Sequence, residues 1–127
     1  MKKLLLLLAG FLLTLQGALT AQELQNVQVL PFEAKKDIVE FMKNTVAKSL
    51  GVKCTFCHNL KDYPSDENPH KVVAREMIRM TLGINERLVG IQKVAKKAGM
   101  KHWEEAPKIE CWVCHRGGKE IEYAAPK

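Results

Sequence analysis

Cys54-Thr55-Phe56-Cys57-His58 and Cys111-Trp112-Val113-Cys114-His115 hold all four cysteines of this 127-residue chain. Both follow one pattern, two thiols separated by two residues with a histidine directly after the second. CxxCH is the attachment sequence of c-type haem: the thiols add across the porphyrin vinyl groups and the adjacent imidazole coordinates the iron. A structural disulfide or a thioredoxin-like dithiol would use CxxC without the histidine. Random placement of four histidines would put one after both pairs only roughly once in a thousand sequences. Zinc could use the same ligand types, but 53 residues separate the two pairs, far beyond the roughly 15–20 of compact zinc ribbons. The expected cofactors are therefore two covalent haem c groups.

Periodicity places the motifs. From Lys36 to Leu50 the apolar residues Ile38, Phe41, Met42, Val46 and Leu50 recur at three and four residues, with Gly51 standing at a left-handed helix stop. Asn68-Pro69 opens a second helix, whose stripe of Val73, Met77, Met80, Ile84, Leu88, Ile91 and Ala95 runs to Gly99, with Gly83 and Gly90 as points where it can bend. Residues 60–67 read as loop, and 100–110 as a second connection with Trp103 as its apolar anchor. No strand-like alternation of useful length occurs. The expected fold is all-α, a small multihaem cytochrome c built from units of helix, turn and CxxCH.

An electron carrier of this type needs a sixth iron ligand opposite the histidine. For the first haem, with His58 on one side, the reading is Met42. It lies eight residues before Leu50, about 12 Å along a helix at 1.5 Å per residue, so a chain turning at Gly51 can lay the haem along that helix. The competing role for Met42 is ordinary core packing on its stripe. For the second haem, with His115, the candidates are Met77, Met80, Met100 and His102, and spacing does not choose among them. His70, in the first turn of the second helix, reads as an exposed imidazole.

The N-terminus is set apart from the fold. Lys2 and Lys3 precede an apolar run from Leu4 to Leu15 and small residues around Ala18 to Ala21, the layout of a secretory signal peptide. The run is short of the roughly 20 residues needed to span a bilayer. We expect residues 1–21 to be a leader and 22–127 a dihaem domain, periplasmic and without a permanent membrane span after cleavage. An export signal fits covalent haem attachment outside the cytoplasm.

Removal of the leader leaves 18 basic and 14 acidic side chains, a formal charge of +4 instead of +6. The lysines are spread along the chain without interleaved aromatics, which gives nucleic-acid binding little support. A basic rim could steer an acidic redox partner. Aromatic residues make up 6% and charged residues 27%, which excludes a disordered tail, and the length excludes a large multidomain enzyme.

The runs Asp66-Glu67-Asn68-Pro69-His70, Ala74-Arg75-Glu76-Met77-Ile78-Arg79-Met80, Ile84-Asn85 and Cys114-His115-Arg116-Gly117 resemble the haem-binding half of photosynthetic reaction centre cytochrome c subunits. The likeness spans most of residues 30–120. In that family an axial methionine on a helix is followed by a turn and CxxCH, so the resemblance implies Met42 for the first haem and Met77 for the second, with Met80 or His102 as alternates. The family subunit binds four haems and is expected to be about twice as long, so this chain is similar to one half. Ile91 stands where the family can supply a histidine to a distant haem, and the stretch from Val89 to Lys108 is longer than the family's link.

The implied function is single-electron transfer between redox proteins of an extracytoplasmic or membrane chain, not enzyme catalysis. An alternative of another class is a haem enzyme, or a gas- or peroxide-binding protein, with one open-coordinate iron. A third is a haem-bearing subunit whose main role is to dock others. Arg75, Arg79 and Arg116 are candidates to pair with haem propionates.

Overall fold

A computed structural model describes residues 24–121, so the leader expected at 1–21 lies outside the described residues. The regular elements of the described residues are all helical, with no strand among them, only an isolated bridge between Asn59 and Asp62. Helix α1 (Lys35–Phe41) continues without a break through a π-helical turn (Met42–Ala47) into α2 (Lys48–Leu50). Residues 35–50 thus form the single helix that the apolar spacing predicts. Its wider central turn is not visible in that spacing, because one π turn changes the register by only about one residue.

Gly51 ends this helix in the left-handed region, at φ 65°. Val52 N–H reaches back to the Ala47 carbonyl at 3.1 Å, closing the last turn as helix stops of this kind do. A 3-10 turn follows (Cys54–Phe56), and then a loop held together by one cation. Lys71 Nζ donates to the carbonyls of Tyr63, Pro64 and Ser65 at 2.7–2.8 Å.

The long helix α3 (Pro69–Lys97) begins where Asn68-Pro69 predicts. The Asn68 side chain accepts from His70 N–H at 3.0 Å, and proline at the first helical position has no amide to leave unpaired. The helix runs uninterrupted through Gly83 and Gly90. It stops at Gly99, φ 77°, where Met100 N–H bonds Ala95 O and Gly99 N–H bonds Lys96 O, each at 3.0 Å, the paired closure of a Schellman stop. A 3-10 turn (Lys101–Trp103) packs back on α3, with Trp103 half-buried as the expected anchor.

The last helix, α4 (Cys111–His115), packs against α2 and the π turn. The joint is tight. Gly117 N–H donates to Ser49 O at 2.8 Å, and a Cβ at Gly51 would stand 2.2 Å from Gly117 O. Among the described residues, only Ile78 and Ala95 are buried apolar side chains. No helix among them is long and apolar enough to cross a membrane.

Candidate functional site

Each CxxCH sequence forms one helical turn, and that local fold does the first part of the chemistry. Residues three apart on a turn lie on the same side, so Cys54 and Cys57 share one side of the 3-10 turn, and Cys111 and Cys114 share one side of α4. All four are free thiols. Burial pushes the Cys57 thiol up from its ordinary pKa, and burial does the same at Cys111. Among the described residues no three His, Cys, Asp or Glu side chains converge to hold a metal ion.

The two histidines differ in their support. His115 Nδ1 lies 3.1 Å from the Gly118 carbonyl, which can only accept, so the proton sits on Nδ1 and the Nε2 lone pair is left for a metal. This is the support a metal-ligating imidazole commonly has. His58 Nδ1 is buried with no hydrogen-bond partner, and the Tyr63 ring stands 5.2 Å from the His58 ring. Burial pushes the His58 pKa down, a Tyr63 backbone interaction opposes this, and the charges of Lys71 and Arg75 push it down further. The result favours the neutral imidazole, the form that coordinates iron.

Two asparagines fasten the turns to α3. Asn68, besides capping the helix, donates from Nδ2 to Phe56 O at 2.9 Å, inside the first CxxCH. Asn85 makes a reciprocal pair with Ile109, two residues before Cys111: Nδ2 to the carbonyl at 2.8 Å and Oδ1 from the N–H at 2.7 Å. The long helix therefore serves as a common spine holding one attachment turn at each asparagine. The sequence marks both residues, Asn68 as a cap and Asn85 within the resembling runs, but not their carbonyl partners, which lie 12 and 24 residues away.

The candidate sixth ligands sit on the two long helical stretches. Met42 is half-buried and is the first residue of the π turn, a local widening that often occurs where a helix carries a functional side chain. Met77 and Met80 lie on α3 at 37% and 50% exposure. His102 is exposed in the turn after α3, its ring 6.1 Å from that of Trp103, and Met100 is exposed beside it. His70 is exposed as expected, with its ring 4.2 Å from that of Phe56.

Cavities adjoin both turns. One of about 440 Å³ is lined by His58, Asn59, Asn68 and His70 among others. A second of about 230 Å³ reaches Cys111 between Phe32, Phe41, Ile78, Leu82 and Ile109. Free thiol pairs on one side of a turn, an adjacent imidazole with an available nitrogen and, beside Cys111, apolar walls are the donor set and surroundings that haem c requires. The residues present fit the group.

The expectation that Arg75 pairs with a propionate needs correction. Arg75 is buried and makes a bidentate contact with Asp66 at 2.8 and 2.7 Å. That carboxylate also meets Lys71 Nζ at 3.2 Å and Asn26 Nδ2 at 2.9 Å. The Arg75 hydrogen bonds, with those from Asn26 and Lys71, hold the Asp66 carboxyl well below the usual range. Arg79 is paired with Glu76. Arg116 is exposed in a left-handed conformation at φ 49°.

Comparison with known proteins gives the geometry a context. Residues 13–123 match the family described as "Photosynthetic reaction centre cytochrome C subunit". Cytochrome c-554 of Chloroflexus aurantiacus is 32% identical over 90 residues, 71% of this chain and 20% of that protein. The photosynthetic reaction center cytochrome c subunit of Roseobacter denitrificans is 33% identical over 99 residues, 73% of this chain and 24% of that protein. The same subunit of Rubrivivax gelatinosus is 32% identical over 80 residues, 61% of this chain and 22% of that protein. The chain thus spans about a fifth to a quarter of the relatives it matches, which corrects the expectation that they are about twice as long. No solved structure matches. With all but the two ends of the chain inside the matched region, the protein belongs to the photosynthetic reaction centre cytochrome c subunit family.

Proposed function

We propose that this chain is an exported dihaem c-type cytochrome, its residues 22–127 carrying single electrons between redox proteins of an extracytoplasmic or membrane chain. The observation that carries the reading is the pair of helical CxxCH turns, each fastened by an asparagine to one long helix. Haem c supplies an iron that gains or loses one electron, and a thioether ligand favours a higher potential than a second imidazole would.

The chain's own residues would bind, orient and shield. Cys54 and Cys57 hold the first haem and Cys111 and Cys114 the second through thioether bonds, while His58 and His115 each offer a ring nitrogen to iron. Gly118 O holds His115 in the right tautomer. Met42 is the proposed sixth ligand of the first iron and Met77 of the second, with Met80 or His102 as alternates. Two haems on a spine this short exchange electrons readily, and the apolar wall beside Cys111 keeps water from the second.

The test joins intact mass with absorption spectra of oxidised and reduced protein, with and without carbon monoxide. Two haem additions and low-spin spectra indifferent to carbon monoxide are expected. A high-spin component that binds carbon monoxide would overturn the closed-carrier reading. Met42→Ala, Met77→Ala, Met80→Ala and His102→Ala, made singly, assign the ligands. Met42→Ala and Met77→Ala should each turn one haem high spin, and a variant with an unchanged spectrum removes that residue.

A further inference from the structure

The C-terminal end of α3 carries a surface that lies apart from the two CxxCH turns. From Arg87 to Lys101 the sequence has five cations, Arg87, Lys93, Lys96, Lys97 and Lys101, and no acidic residue. None of the five has an ion-pair partner among the described residues. Between them, Val94 is 70% exposed and Ile91 50%. Ile91, Val94 and Ala98 recur at three and four residues and so form one stripe. Arg87 lies one turn before Ile91 on the same stripe, and Lys93 and Lys97, four apart, run along its flank.

Charge at a helix end has an ordinary role, since Lys96 and Lys97 in the last turn offset the helix dipole. That role does not require exposed branched aliphatic side chains, and it does not extend to Arg87 or Lys101, which lie outside the last turn. We propose that this end of α3 is a docking surface for an anionic lipid bilayer, with Ile91 and Val94 entering the headgroup region and the cations resting among the phosphates. The combination is that of interfacial helices, a modest apolar stripe flanked by lysine. Four of the five cations are lysines, flexible point charges suited to diffuse headgroups more than to the planar, two-pronged contact with a protein carboxylate that arginine makes. The exposed apolar residues are aliphatic, whereas protein docking sites are anchored mainly by aromatic side chains and arginine. The inference goes beyond the electron-transfer reading and stands whether one haem or two are bound.

The experiment is co-sedimentation of the haem-loaded protein, recovered from the exported fraction with its N-terminus fixed by intact mass, with vesicles of phosphatidylcholine alone or containing about 30% phosphatidylglycerol. Binding to the anionic vesicles alone, weakened by salt, is expected. Lys93→Glu with Lys97→Glu should weaken it roughly tenfold or more, since each lysine near an anionic surface adds measurably to affinity. Ile91→Asn with Val94→Asn should weaken it as well, while the Soret spectrum and far-UV circular dichroism stay as in the parent, showing that the fold and haem sites are intact. Equal binding to both vesicle types, no binding, or variants that bind like the parent would overturn the proposal. Salt-sensitive retention on an acidic protein without vesicle binding would overturn it too, assigning the patch to a protein partner.

Discussion

At Gly51 the absence of a side chain answers two demands at once. The backbone is left-handed, φ 65°, and a Cβ would stand 2.2 Å from Gly117 O. Gly99 is also left-handed, φ 77°, but a Cβ there meets nothing within 4 Å. Gly99→Ala should therefore cost about 1 kcal/mol, the conformational term alone. Gly51→Ala should cost about 3 kcal/mol or more, because two backbones must separate. Denaturation of the haem-loaded variants measures both, and equal losses would show that the contact with Gly117 carries no weight. The sequence reveals Gly51 as a helix stop through its position after Leu50. It does not reveal Gly117 as the neighbour, because 65 positions lie between them and no local pattern spans that distance. The same limit applies to Arg75. Its place in the resembling run was legible, but its bidentate hold on Asp66 depends on how the 63–66 loop folds back over α3.

Among the elements, α3 does the organising, and its beginning and end were both readable from Asn68-Pro69 and Gly99. Its continuity through Gly83 and Gly90 reflects the apolar stripe, which outweighs the roughly 1 kcal/mol helix cost of each glycine. The π turn was not readable, since Met42, Val46 and Leu50 fit an α-helical stripe equally well. What the helix holds is set by single side chains. Asn85→Ala removes both hydrogen bonds to Ile109 and leaves a part-buried N–H and carbonyl unpaired, an expected loss of about 2–3 kcal/mol. A chemical denaturation curve within about 0.5 kcal/mol of the parent would show that Asn85 does not anchor the second turn. The CxxCH turns were legible in full as motifs. The sixth ligands were legible only as candidates, because a methionine on an apolar stripe looks the same whether it packs or coordinates.

For the molecule as a whole, the shortage of buried apolar side chains is the governing fact: among the described residues Ile78 and Ala95 are the only apolar ones that are buried. A small chain with so little interior of its own depends on what it binds. Replacing Cys54, Cys57, Cys111 and Cys114 together with alanine should leave a chain without a cooperative thermal transition, and native-like helix content with a sharp melt by far-UV circular dichroism would refute this. Acid should also weaken the fold. The Asp66 carboxyl is held well below its usual pKa by Arg75, Asn26 and Lys71, so its contribution is present above the ordinary carboxylate range and fades as pH falls through about 4 and below. Asp66→Asn should be less stable than the parent at neutral pH and lose less between about pH 5 and pH 2, where the parent's paired carboxylate is taking up its proton. Parallel pH profiles for the two proteins would count against the cluster.

The joint between Gly117 and Ser49 has a bearing on biogenesis. A chain made from its N-terminus completes residues 35–50 before residues 111–118, so the later stretch is the one that seals the earlier. Until it arrives, the Ser49 carbonyl lacks this amide and the end of α2 lacks its cover. A product truncated before residue 110 has both defects together and so presents an open seam, which gives a protease a structural mark distinguishing unfinished chains from finished ones.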